Sequence, residues 1–307
     1  MRIVSLLPSA TEIVCALGLE ECLVGVSHEC DYPPSVQGLP KVTRTLVPSD
    51  EPSSAIDGLV RERLETARAL YTLDQPTLEA LRPEVILTQA LCNVCAVAED
   101  EVRDAARALP GRPQVLDLEP RTLAGALAAI GQVAAVAGVE RRGEQVVAQL
   151  QDRIVAVARR AARAPVRPRV ALLEWLDPPF SCGHWSPELV RLAGGVEGLG
   201  REGEPARTLS WAEVCAWAPE VVVVACCGFG VERTLEDLRA AEAVPGWHDI
   251  PAVRARRVYV TDGAQYFSRP GPRLVDSLEI LAHALHPDLH PLPEGLPAAL
   301  RVDLEPA

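Results

Sequence analysis

The 307-residue sequence predicts an α/β protein of two lobes, each built on a mostly parallel sheet, joined by a long helix. Three observations predict it. Short apolar runs alternate with helical patterns over residues 1–120, the signature of a parallel sheet. Residues 122–163 contain no strand pattern. After Pro165 and Pro168 the alternation starts again. The division that follows is an N-terminal lobe over 1–120, connecting helices over 121–166, a C-terminal lobe over 167–288 and an irregular tail over 289–307. A chain of this length can bury two cores of ordinary domain size.

In order, residues 3–7 form an apolar strand, and Ser9-Ala10-Thr11-Glu12 opens a helix that Gly18 stops. Residues 23–26 are a second strand. Residues 53–71 and 76–82 are helical in pattern, 84–88 a third strand, 99–109 a helix and 115–118 a fourth strand. The Ala-, Val-, Gln- and Arg-rich stretch that follows breaks near Gly138, and residues 140–163 form one helix of about 36 Å at 1.5 Å per residue. The second lobe places strands at 170–173, 220–224 and 258–260. Its helices fall near 187–192, at 232–241 and at 273–285, and a proline-rich tail begins at Pro287.

In open α/β sheets, ligands bind beyond the carboxyl ends of the strands. Five loops so placed carry most of the reactive side chains: Ser27-His28-Glu29-Cys30-Asp31, Cys92-Asn93-Val94-Cys95, residues 174–185, Cys226-Cys227-Gly228-Phe229 and Tyr266-Phe267-Ser268-Arg269. They predict a shared binding cleft.

Composition limits what fills it. With 48% hydrophobic and 23% charged residues the chain reads as a globular protein, and its net charge of −12 excludes a nucleic-acid partner. No apolar run approaches a membrane span. The opening Met1-Arg2-Ile3-Val4-Ser5-Leu6-Leu7-Pro8 enters a strand directly, with Glu12 close behind, so the expected location is cytoplasmic. Nine cysteines there are expected to be mostly reduced.

Cys92 and Cys95 have the Cys-x-x-Cys spacing that serves metal or cluster ligation, or redox exchange at a helix N-terminus. With Cys30 and Cys227 they make a four-thiol set suited to zinc or an iron–sulfur cluster, and Cys182 is a candidate replacement. Cys15, Cys22, Cys215 and Cys226 read as core. Glu174 and Asp177 are candidate acid–base groups. Arg269 and Arg273 are candidate anion holders, with ion pairs inside the lobe as the other reading. His283, His286 and His290 read as surface positions beside the tail. Neither the dinucleotide nor the P-loop glycine spacing occurs, nor a Gly-x-Ser-x-Gly elbow.

Ser5-Leu6-Leu7-Pro8-Ser9-Ala10-Thr11-Glu12, Gly25-Val26-Ser27 with Asp31-Tyr32-Pro33-Pro34, Pro178-Pro179-Phe180, and Tyr266-Phe267-Ser268-Arg269-Pro270-Gly271-Pro272-Arg273 resemble the cobalamin-binding branch of the class III substrate-binding proteins of ABC importers. The likeness covers roughly residues 1–287. It implies two Rossmann-like lobes on a helical backbone and a non-enzymatic binder or carrier of a corrinoid such as cobalamin. The partner it implies is an ABC transporter or, for a cytoplasmic member, an intracellular acceptor. Glu99 or Glu101, and Glu232 or Glu236, stand where the family's docking acids stand. The chain is expected to depart from the branch in having no export signal, and it places His28-Glu29-Cys30 and the Cys92–Cys95 loop where aromatics are usual.

Under that resemblance His28 and His184 become candidate axial ligands to cobalt or donors to the corrin's amide rim. Trp175, Phe180, Trp185, Tyr266 and Phe267 become apolar walls, in a chain with only 4% aromatics. Glu29, Cys92 and Arg269 complete the expected ligand-binding set. Two alternatives stay open: a thiolate-bound metal or iron–sulfur enzyme using Glu174 or His184, and a thiol–disulfide switch at Cys92 and Cys95.

Overall fold

The computed structural model of the chain describes residues 1–46, 51–66, 70–89 and 97–303. They form two compact units: Met1–Pro120 with Ala124–Ala148, and Arg121–Leu123 with Gln149–Ala307.

The N-terminal unit begins with β1 (Ile3–Ser5), α1 (Pro8–Ala16), β2 (Leu23–Val26), β3 (Thr43–Thr45), α2 (Ser53–Thr66), β4 (Tyr71–Leu73) and α3 (Gln75–Leu81). It continues with β5 (Val85–Thr88), α4 (Glu99–Ala108), β6 (Gln114–Asp117) and α5 (Leu123–Val136). Its sheet runs β2-β1-β5-β6, all parallel, with Val4 between Gly25 and Ile86. Pro8 starts α1 where a missing N–H costs nothing. Gly18 ends that turn at φ +65°, and an added Cβ there would lie 2.5 Å from the Arg142 guanidinium. In α4, Glu99, Asp100 and Glu101 favour the positive end of the helix dipole, while Val102, Ala105 and Ala106 turn one face into the core. That face meets Val4, Leu6, Val42, Leu70, Leu78 and Ile86.

The helical pattern expected over 53–71 is cut short. Tyr71–Leu73 is a strand paired antiparallel with Thr43–Thr45, as the β-branched and aromatic residues on both sides favour.

The unit division falls inside α6 (Glu140–Ala161), after Ala148. Gly143, Leu150, Val157 and Ala161 are its buried positions, at helical spacing. The C-terminal unit then places β7 (Arg169–Leu176), β8 (Pro179–Ser181), α7 (Ser186–Leu192), β9 (Val196–Glu197), α8 (Trp211–Trp217) and β10 (Val221–Val224). It ends with α9 (Val231–Ala241), α10 (Pro251–Arg254), β11 (Val258–Val260), a π turn at Gly263–Phe267, α11 (Leu274–Leu285) and β12 (Leu300–Arg301). Its sheet runs β12-β11-β10-β7-β8, with β9 beside β7. The centre is parallel and fully buried, so Val221–Val224 needs no polar face.

Three expectations for this unit change. The stretch 174–185 is not all loop: β7 extends to Leu176 because Pro179–Ser181 folds back on it and pairs with its backbone. The tail is not wholly irregular, since Leu300 and Arg301 pair with Val260 and Tyr259. His290 is not at the surface but 2% exposed, and its carbonyl lies 2.7 Å from His283 Nδ1. Among the described residues no helix is long and apolar enough to cross a membrane.

Candidate functional site

Beyond the carboxyl end of β2, the N-terminal unit gathers a polar cluster. Ser27 is fully buried. Thr43, on β3, donates its hydroxyl proton to Ser27 Oγ at 3.0 Å and receives the His28 backbone N–H at 3.1 Å. His28 Nδ1 lies 2.7 Å from the same Thr43 oxygen. The ring of Tyr71 stands edge-on to His28, centroids 4.7 Å apart, and its hydroxyl donates to Glu29 Oε1. Burial lowers the His28 pKa; Glu29 opposes that and Lys41 adds to it. Burial of the imidazole thus disfavours its charged form.

His28 and Glu29 thus come together, joined by Thr43 and Tyr71, which the sequence reading did not single out. The alternation Val42-Thr43-Arg44-Thr45 was the available signal for a strand there. Cys30 is buried, its thiol 3.1 Å from Thr11 Oγ1. Cys92 and Cys95 lie outside the described residues. The other thiol of the four-cysteine set, Cys227, is half-buried after β10 in the C-terminal unit. Among the described residues no group of three or more His, Cys, Asp or Glu has the geometry to hold a metal ion. Only Cys226 of the four cysteines expected in the core is buried, and burial pushes its thiol up to about 12; Cys15, Cys22 and Cys215 keep partial exposure, so they border the core without filling it.

In the C-terminal unit the candidates occupy the hairpin of β7 and β8, the turn after it and the turn after β11. Trp175 is buried, bonds through Nε1 to the Asp177 carbonyl at 3.1 Å, and packs 4.8 Å from Phe229. Trp185 Nε1 donates to the Phe267 carbonyl at 2.9 Å, and both residues are buried. These three aromatics pack inside their own unit, whereas Phe180 and Tyr266 keep partly exposed faces. The Arg273 guanidinium lies 5.3 Å from the Tyr266 ring, and Arg269 and Arg273 are both buried at 7% exposure.

His184 has φ +51° and stacks on Trp185 at 5.5 Å; its backbone N–H donates to Glu204 O at 2.6 Å. Burial, with Arg121 nearby, lowers its pKa. Beneath this turn the Glu174 carboxylate accepts from Gly183 N at 3.0 Å. Burial pushes Glu174 up to about 7, against the Gly183 hydrogen bond and with the help of Glu197. Glu197 Oε1 receives three backbone N–H groups, from Gly198, Leu199 and Gly200, and burial raises its pKa too. Cys182, fully buried beside these two acids, is held far from thiolate by the same loss of solvent.

Of the acids expected at a docking face, Glu99 is paired with Arg103 and Glu101 accepts from Leu73 N at 3.3 Å. Glu236 is paired with Arg233 at 3.0 Å, and Glu232 is exposed.

Two α/β units of this plan, each with polar and aromatic residues at the ends of its strands, define a ligand-binding protein. The family model described as "Periplasmic binding protein" matches residues 3–264, and the chain belongs to this family of substrate-binding proteins. An uncharacterized ABC transporter substrate-binding lipoprotein, YvrC of Bacillus subtilis, is 23% identical over 298 residues, covering 94% of this chain and 80% of that protein. A vitamin B12-binding protein of Vibrio cholerae is 24% identical over 280 residues, 91% of this chain and 86% of that one. The periplasmic heme-binding protein RhuT from Roseiflexus sp. RS-1 superposes with a TM-score of 0.71 at 25% identity, covering 94% and 98% of the two chains. The sequence resemblance to the family stands, while its narrowing to the cobalamin branch meets heme-binding and B12-binding relatives alike.

Proposed function

We propose that this protein binds a corrinoid of the cobalamin type as a carrier, does no chemistry on it, and delivers it to a transporter of the ABC importer class. The observation that carries this reading is the 24% identity to a vitamin B12-binding protein over 91% of the chain. The chemistry at the strand ends supports it. A half-buried imidazole at His28, whose charged form burial disfavours, suits a cobalt ion or an amide rim, and the partly exposed faces of Phe180 and Tyr266 suit an apolar ring.

The test is retention of hydroxocobalamin by the purified chain at micromolar concentration, followed by desalting and an absorption spectrum. A stoichiometric corrin spectrum is expected; its absence overturns the reading.

The second reading is heme, favoured by the 25% identity to RhuT. The two differ in one experiment: hemin and hydroxocobalamin offered together, with the retained chromophore identified by its spectrum.

A further inference from the structure

The hydrogen bonds around Thr43 bear on the form of His28. A threonine hydroxyl has one proton and two acceptor lone pairs. Thr43 gives its proton to Ser27 Oγ. It then has only lone pairs left for His28, and one of them takes the His28 backbone N–H. With Thr43 as the donor to Ser27, the 2.7 Å contact to His28 Nδ1 is a donation from the ring, which puts the proton on Nδ1. In a neutral imidazole the other nitrogen is then bare. His28 Nε2 has no hydrogen-bond partner among the described residues, while the edge-on ring of Tyr71 limits rotation of the imidazole.

We infer that His28 Nε2 is an axial donor to the metal of the bound ligand, and that Thr43 is the positioning residue that sets its tautomer and direction. Metal-bound histidines characteristically donate the other ring N–H to a fixed acceptor, and here Thr43 supplies that acceptor in advance. In the binding step the Nε2 lone pair forms the bond to the metal as a metal-bound water leaves as water. No proton moves, because Nδ1 keeps its own. His184 lacks this arrangement: none of its ring nitrogens is fixed by a hydrogen bond among the described residues, and its ring lies stacked on Trp185.

The inference rests on the reading that the cargo is a metallated tetrapyrrole, and it narrows the class. The preferred ligand carries a metal with an exchangeable axial position. A metal-free porphyrin, or a corrinoid with both axial sites blocked by tightly held groups, binds less well.

The probe is diaquacobinamide, which lacks the nucleotide base of cobalamin, so any axial nitrogen on cobalt comes from the protein. The full chain is labelled with 15N-histidine, loaded, reduced to Co(II) and read by electron paramagnetic resonance. A single-nitrogen splitting that changes from triplet to doublet on labelling is expected. It disappears in His28→Ala. In Thr43→Val the affinity falls about tenfold, the scale for loss of an outer partner, and Thr43→Ser restores it. Retention of cobinamide with no nitrogen splitting, equal in the wild type and His28→Ala, overturns the inference and leaves the corrinoid reading standing. Failure to retain cobinamide, hydroxocobalamin or hemin overturns both. A ligand-free arm guards against misfolded variants: the 15N shifts of His28 in the unloaded wild type are expected to show a protonated Nδ1 and a bare Nε2. The opposite tautomer overturns the inference.

Discussion

Arg153 in α6 meets Glu279 in α11 through two bonds, Nε to Oε1 at 3.1 Å and Nη2 to Oε2 at 2.5 Å. The same guanidinium also reaches Asp276 Oδ1 at 2.5 Å. One arginine thus holds two carboxylates one helical turn apart, and its pKa rises because both stabilise its charge against the cost of burial. The pairing fastens the second half of α6 to the C-terminal unit.

Removing Arg153 leaves two partly buried carboxylates facing each other, one of which, Asp276, burial already biases toward its protonated form. Arg153→Ala is expected to cost about 1–2 kcal/mol, between the values for exposed pairs and for charged hydrogen bonds. Urea denaturation with and without 0.5 M salt checks it, since only the wild type should weaken with salt.

Glu174 makes stability fall as pH rises. Its folded pKa of about 7 lies above its ordinary value of 4.5, so the folded chain holds a proton that the unfolded chain releases. The contribution is fully present below pH 4.5, is lost between 4.5 and 7, and stays lost above. Glu174→Gln keeps an acceptor for Gly183 N and removes the titration. The variant should gain on the wild type by about 2 kcal/mol between pH 5 and 8. An unchanged difference across that range would sink the assignment.

His290 acts in the opposite sense. Burial, then His286, Arg160 and His283, push its pKa down to about 4, and both ring nitrogens are buried without a hydrogen-bond partner. Its stabilising contribution is present above pH 6.5 and disappears as pH falls through 4. His290→Leu should therefore flatten the acid limb of the melting curve, losing less than the wild type between pH 6.5 and 4.5.

Gly200 and Gly183 pin the turn that carries His184. A Cβ on Gly200 would stand 2.1 Å from the Cys182 carbonyl oxygen, and one on Gly183 would stand 2.2 Å from Ala206 N. Both obstacles are backbone, which cannot swing aside as a flexible side chain would. Either alanine variant should cost about 3 kcal/mol or leave the chain insoluble. Urea denaturation of each soluble variant against the wild type checks it.

The sequence announced most of the framework. Leu23–Val26 and Val221–Val224 are strands whose apolar runs suffice to place them, and Gly138 marks the break between the two connecting helices. What escaped notice depends on a distant partner. Tyr71–Leu73 and Pro179–Ser181 are strands only because Thr43–Thr45 and Leu173–Leu176 lie alongside them, and three-residue segments carry too little periodicity to declare themselves. The site divides in the same way. His28 was visible from its place after β2, but the threonine that orients it is 15 residues away and on another element. The buried aromatics Trp175, Trp185 and Phe267 could not be told from exposed ones by composition, because their indole and carbonyl partners are set by tertiary packing.

The pairing of Leu300–Arg301 with β11 has a colloidal consequence. Val258–Val260 would otherwise be an open margin of the sheet, three residues rich in valine with unsatisfied N–H and C=O groups facing outward. Such a margin recruits strands from other molecules. By occupying it, a two-residue segment near the end of the chain works as a selvedge, keeping each molecule from knitting to the next.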